Sequence, residues 1–144
     1  MSENVGNIIT NPPYPRPLPP INQMNHHFWC GGKDGKLHLM QCGNCGYYIH
    51  PYGPVCKECL SKDVSVVAVS GLGTVRAVSI NHQPWFPGVP VPYVVALVQL
   101  DEQDNIRLPS NILNCAVEDV VQGMKVKVCF EQYGDIFVPL FEPA

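Results

Sequence analysis

Charge is scarce in this chain. Only 15% of its 144 residues are Asp, Glu, Lys or Arg, where soluble domains carry about 25%. The nine Lys and Arg are scattered, and the net charge is −3 with thiols counted neutral. A polyanion finds no basic face on such a surface, which counts against nucleic acid as a partner. A weakly charged surface suits a protein partly covered by another protein. No run of 18 apolar residues occurs, so no transmembrane helix and no membrane role are expected. Catalytic signatures are also missing. The chain has no nucleophile elbow, no phosphate loop, no Gly-rich dinucleotide fingerprint and no second metal cluster. Cys30, Cys115 and Cys129 lie in no nucleophile motif, and a free cysteine usually packs as a small apolar group.

The remaining four cysteines are the most informative residues present. Cys42-Gly-Asn-Cys45 and Cys56-Lys-Glu-Cys59 are two C-x-x-C pairs separated by ten residues. One tight turn presents two sulfurs to the same ion, and a hairpin of that length brings the second pair round to close a tetrahedron. Zn²⁺ accepts four thiolates at about 2.3 Å and needs no further ligand, so one structural zinc per chain is expected. Two disulfides would require an oxidising compartment, and no secretory signal precedes the pairs. A redox pair needs only one C-x-x-C, beside a βαβ pattern that is absent. Four thiolates leave no coordination position for water or substrate, so the metal is assigned no chemistry. Cysteine usage points to a reducing cytoplasm.

Three regions follow one another, and the fold class they predict is mainly β. Residues 1–20 form a Pro-rich arm, extended by its proline density; it reads either as a flexible tail or as an arm docked through Tyr14 and Leu18. Residues 21–69 hold a short helix and the zinc ribbon. Ile21, Met24 and Phe28 fall on one helical stripe, with Gly31 and Gly32 as its stop. His26 and His27 point about 100° apart on such a helix and read as surface or interface groups. Strands are predicted at 36–41, 47–50 and 64–69. His38 and His50, near the knuckles, are alternative ligands to an already complete shell. Residues 70–144 read as five strands with one helical turn before the last pair, the pattern of an OB-type barrel. In that region Asn114 is the expected N-cap, and Val126, Val128 and Phe130 alternate inward with Cys129 outward beside Lys125 and Lys127.

An ordered set of marks then suggests a family. Phe28-Trp29, the two knuckles, Ser70-Gly-Leu-Gly-Thr-Val75, His82-Gln-Pro, Pro92-Tyr-Val-Val-Ala-Leu97, Glu118-Asp-Val, Gly123-Met and Pro139-Leu-Phe occur in sequence. Over residues 21–144 the chain resembles bacterial and archaeal proteins, long catalogued as a domain of unknown function, that join a rubredoxin-like zinc ribbon to an OB-fold associated with acyl-CoA metabolism. The arm lies outside the resemblance, and Cys30 stands where acidic residues are frequent. The resemblance implies a non-catalytic accessory subunit of a cytoplasmic complex. Its partner would be a thiolase-fold catalytic subunit, either a thiolase or a side-chain aldolase. The acyl-CoA thioester would be shared with that partner.

Site residues follow from this reading. His82, Trp85, Phe86, Tyr93 and Arg76 are candidates for acyl-CoA contacts, with Arg107 a further candidate for the CoA phosphates. The loop's prolines restrict its backbone, so its aromatics lose little entropy on binding; the same loop could instead cap the barrel. Phe28 and Trp29 are candidate partner-interface anchors, or they fasten the helix to the ribbon or barrel. The alternative functions are a nucleic-acid-binding zinc-ribbon/OB module, which needs a basic groove with stacking aromatics, and a stand-alone enzyme using His82 or a free cysteine.

Overall fold

Alternating apolar residues become strands wherever one face can be buried, and nine segments among the described residues do so. The structure is a computed structural model that describes residues 5–144 apart from Tyr14. Its strands are β1 (Ile8–Ile9), β2 (Leu37–Cys42), β3 (Tyr48–Ile49), β4 (Val64–Val69), β5 (Leu72–Asn81), β6 (Tyr93–Leu100), β7 (Arg107–Ser110), β8 (Lys125–Tyr133) and β9 (Ile136–Pro143). β2, flanked by β3 and β4, makes a three-stranded antiparallel sheet carrying the cysteine knuckles. The second sheet runs β1-β8-β5-β6-β7, with β9 also paired to β8. A parallel bridge between Ile112 and Phe141 brings β9 against the end of β7. Strands β5 to β9 thereby close into the expected OB-fold barrel.

The barrel is filled by the inward set of each strand. Val75, Val94, Val98, Val126, Val128 and Phe130 are at most 1% exposed, and each contributes about 1.5–3 kcal/mol through burial. The register of β5 on β6 shifts between Val75 and Ala77, and this bulge leaves Arg76 exposed. Side chains rather than a shared strand tie the ribbon to the barrel. Gln103 accepts from the Tyr48 N–H at 2.9 Å and donates to the Tyr48 carbonyl at 2.9 Å. Glu102 accepts from the Ser70 N–H at 2.8 Å.

The N-terminal arm is docked, and among its described residues Ile8, Ile9 and Arg16 make the attachments. Ile8 and Ile9 pair in parallel with Phe130 and Glu131. Arg16 donates through Nε to Glu131 Oε1 at 2.6 Å and through Nη1 to Asn111 Oδ1 at 2.8 Å. Leu18 is 43% exposed; Tyr14, the other expected anchor, lies outside the described residues. Glu131 is itself 1% exposed, so its charge depends on Arg16 and on the Tyr133 hydroxyl, which donates to it at 3.1 Å. The arm also corrects the placement of Cys129, which is fully buried. The outward face of β8 is open to solvent at Lys125, but farther along Arg16 reaches over it, Asn7 accepts the Phe130 N–H, and Leu140 pairs opposite Cys129.

The expected helix over 21–32 shrinks to α1 (His26–Trp29), one turn. Asn22 and Asn25 explain the loss. Asn22 Oδ1 accepts from the N–H groups of Met24 and Asn25, and Asn25 Oδ1 accepts from the Asn22 N–H. These side chains satisfy the backbone in a turn, which competes with helix. Ile21 and Met24 consequently stay exposed, and of that stripe only Phe28 packs against the core. Gly31 and Gly32 do not stop the chain either; they open a 3-10 turn over Gly31–Asp34 that ends at Gly35, φ 76°. Glycine is needed at 32 because a Cβ there would lie 2.6 Å from the Phe130 ring. Asn114 is no N-cap: it sits at φ 63°, and the 3-10 turn Val117–Asp119 starts after Ala116.

Removing one member of a buried pair strands the other, at a cost of about 3–5 kcal/mol. Arg16→Met should lower denaturant-measured stability by that order. Adding Glu131→Leu should recover most of the loss, whereas equal loss in both proteins would remove the pair from its structural role.

Candidate functional site

Two features of the structure can do chemical work: the sulfur cluster and a groove beside the barrel. The Sγ atoms of Cys42, Cys45, Cys56 and Cys59 all lie within 4.8 Å of one another. Cys42 and Cys59 are 3.6 Å apart, and Cys45 and Cys56 are 3.5 Å apart. A tetrahedron with bonds of about 2.3 Å has edges of about 3.8 Å, so the cluster fits a four-thiolate ion and is compatible with a zinc ribbon. Asn44 supports it, donating from its backbone to Cys42 and from its side chain to Cys59, both at 3.4 Å. The Asn44 amide, helped by the Ser61 N–H, pulls the Cys59 thiol down to about 6. Four sulfurs this close cannot all be thiolates without positive charge among them, and a divalent cation supplies it. His38 and His50 do not join this cluster.

The groove lies where β6, β7 and β9 meet under α1. Its larger cavity, about 440 Å³, is walled by Phe28, Trp29, Val95, Leu108, Val138 and Leu140, with His50 of the ribbon at one side. A second cavity of about 270 Å³ adjoins it, walled by Trp29, Phe86, Tyr93, Val138 and the prolines Pro17 and Pro19 of the arm. Arg16 and Asn111 line both. Phe28 stacks edge-on with Trp29 at 4.9 Å and meets the His50 ring at 4.8 Å. Phe28 therefore fastens the helix, while Trp29 forms the wall between the two cavities.

Candidates from separate parts of the chain thus come together: Phe28 and Trp29 from the helix, Phe86 and Tyr93 from the proline-rich loop. Others stay apart. Trp85 is 67% exposed, with its indole N–H donating to Asn81 Oδ1 at 3.2 Å. His82, Arg76 and Arg107 are exposed and line neither cavity. Sequence reasoning did not point to Arg16, Asn111 or His50 as groove residues. A single arginine inside a proline run was the available signal, because a stiff arm needs one strong anchor.

A family model described as the C-terminal OB-fold domain of ChsH2 matches residues 66–131. A solved structure titled as an Ltp2-ChsH2(DUF35) aldolase is 33% identical, covering 88% of this chain and 98% of that one, with a TM-score of 0.77. The chain belongs to the DUF35 family. Its members include OB-fold accessory proteins associated with acyl-CoA enzymes. A DUF35 domain-containing scaffold protein of Methanocaldococcus jannaschii is 33% identical over 65% of this chain and 66% of its own length. Two longer relatives also match. A probable enoyl-CoA hydratase alpha subunit of Thermomonospora curvata is 35% identical over 90% of this chain. The 3-oxo-4,17-pregnadiene-20-carboxyl-CoA hydratase alpha subunit of Mycobacterium tuberculosis is 31% identical over 81%. This DUF35 chain spans 40% and 36% of those two proteins. A DUF35 structure from Sulfolobus solfataricus, 17% identical with a TM-score of 0.57 over 83% of this chain and 84% of that one, shares the fold.

Among the described residues no helix is long and apolar enough to cross a membrane.

His50 gives the groove a pH signature. Burial, reinforced by His27, pushes its imidazole down to about 4. The folded protein therefore refuses a proton that the unfolded chain binds near 6.5. Stability is complete above that value and declines as pH falls from 6.5 towards 4, by up to about 3 kcal/mol. His50→Phe keeps an aromatic ring beside Phe28 and removes the titration. Thermal melts from pH 7 to 4 should show the variant gaining on the parent protein as pH falls; parallel curves would contradict the assignment.

Proposed function

We propose that this DUF35 protein is the non-catalytic, zinc-containing subunit of a thiolase-fold complex acting on acyl-CoA thioesters. The observation that carries the reading is the meeting of helix and loop aromatics around the two adjoining cavities. Trp29, the candidate for partner contact, and Phe86 and Tyr93, the candidates for substrate contact, share one groove. A substrate held there would sit at the edge of an interface built on Trp29. The relatives' names support the class of assembly, since they describe an aldolase complex, a scaffold and hydratase alpha subunits. Trp85, His82 and Arg76 are the exposed residues through which the loop and β5 meet the partner and the nucleotide end of CoA. The thiolase-fold subunit supplies the reactive groups, and this chain supplies a wall and a docking face, in a cytoplasmic hetero-oligomer.

The sulfur cluster supports zinc in a structural role, because its four ligands leave no position open. Metal analysis should return one Zn²⁺ per chain, and Cys45→Ser should release it and unfold the ribbon, which zinc stabilises by on the order of 10 kcal/mol. Iron in place of zinc, or no metal, would overturn this part.

Purification from the native source should bring down a thiolase-fold subunit, and the complex should turn over acyl-CoA while this chain alone does not. Trp29→Ala should keep its zinc and its fold and lose co-elution with that subunit, as truncation of an interface anchor costs about 2 kcal/mol or more. Turnover by the isolated chain would instead make it an enzyme in its own right.

A further inference from the structure

The two ends of an acyl-CoA thioester differ sharply in chemistry, and the larger cavity discriminates between them. The nucleotide end carries phosphates; the acyl end is hydrocarbon. Arg16, Asn111 and Ser110 in the cavity wall already have protein partners, while the buried His50 Nδ1 has none among the described residues. Arg16 is committed to Glu131 and Asn111, the Asn111 amide donates to the Val94 carbonyl at 2.7 Å, and Ser110 Oγ donates to the Pro139 carbonyl at 3.1 Å. Arg16 is the one cation among the described residues that line either cavity, and a carboxylate already holds it. Val95, Leu108, Val138 and Leu140 make up the rest of the larger wall with Phe28 and Trp29. His50, which borders it, is kept neutral by burial.

Size is the second observation. An acetyl group displaces about two waters, on the order of 60 Å³ at ~30 Å³ each. In a groove of about 440 Å³ open to solvent on one side, such a group would leave most of the space to water, and pockets of this volume fit ligands several times larger.

We infer that the cavity under α1 is an acyl-tail pocket for thioesters longer or bulkier than acetyl, and that the cavity itself offers no site for the CoA phosphates. The inference deepens the accessory-subunit reading and rests on it for the identity of the thioester. Val95, Leu108, Val138 and Leu140 are then the residues that set acyl length, and the phosphates are bound where the partner is present. Apolar burial rises with each methylene that enters, so affinity climbs with chain length until the pocket is full.

The test uses the isolated, zinc-loaded full chain, methyl NMR, and N-acetylcysteamine thioesters from acetyl to decanoyl, which lack phosphates. The Val95, Leu108 and Val138 methyl resonances should shift, with affinity rising about threefold to fourfold per added methylene before levelling off. Octanoyl-CoA should bind no more than about threefold tighter than its phosphate-free analogue, and coenzyme A alone should shift none of these methyls. Val138→Phe should weaken decanoyl binding at least about tenfold with an unchanged melting temperature. Val95→Phe, at a position 41% exposed, serves if the first variant does not fold. A flat length dependence, equal shifts with coenzyme A, or no shift at about 1 mM decanoyl thioester would each overturn the pocket. A chain that fails this titration yet co-elutes with its thiolase-fold partner loses the pocket and keeps its accessory role. Tail binding without any partner would do the reverse.

Discussion

A carboxylate with 1% exposure cannot stand alone, and the placement of Glu131 organises much of this molecule. Desolvating an unpaired carboxylate costs several kcal/mol even after the surroundings relax. The nearest remedy in space comes from 115 residues earlier in the chain. Arg16 reaches over the outer face of β8 to meet it, and the proline segment follows, so Pro17 and Pro19 become part of the second cavity. The same guanidinium fixes Asn111, whose backbone carbonyl accepts from Phe141 near the bridge that closes the barrel. One ion pair therefore links arm, closure and groove.

The ribbon contributes geometry where its own core is too small to contribute much stability. Leu37, Leu39 and Val69 are its buried hydrocarbon, and small modules of this kind rely on a cross-link. The paired hydrogen bonds between Gln103 and Tyr48 carry its orientation to the barrel. His50 lies two residues beyond Tyr48, which is why a ribbon side chain can border a cavity otherwise built from barrel strands and helix.

What could be read from the residues alone is what local periodicity and spacing determine. The cysteine pairs declare their tetrahedron because two intervening residues permit little else, and the alternation in Leu37–Cys42 and Lys125–Tyr133 reflects strands with one face to bury. The stripe of Ile21, Met24 and Phe28 misled because two asparagines offered the backbone cheaper partners than a helix would. Cys129 was assigned outward by a correct alternation; the error lay in treating the outer face as solvent, which depends on where residues 7–16 run. Phe28, Trp29, Phe86 and Tyr93 could be picked out from the residues alone as candidate contact aromatics. Their convergence could not, since it depends on how the loop after β5 and the turn after Pro20 fold back over the same strands.

The short pairing of Ile8 and Ile9 with β8 bears on how this chain lives among copies of itself. β5 accompanies β8 only from Lys125 to Lys127, and β1 takes up the edge again at Phe130 and Glu131. A polypeptide beginning at residue 21 would expose that edge beside a carboxylate stripped of its counter-charge. An open strand edge is a template for foreign strands, and a destabilised one offers itself more often. The arm thus serves as insulation: through Ile8 and Ile9 it commits that edge to the chain's own backbone.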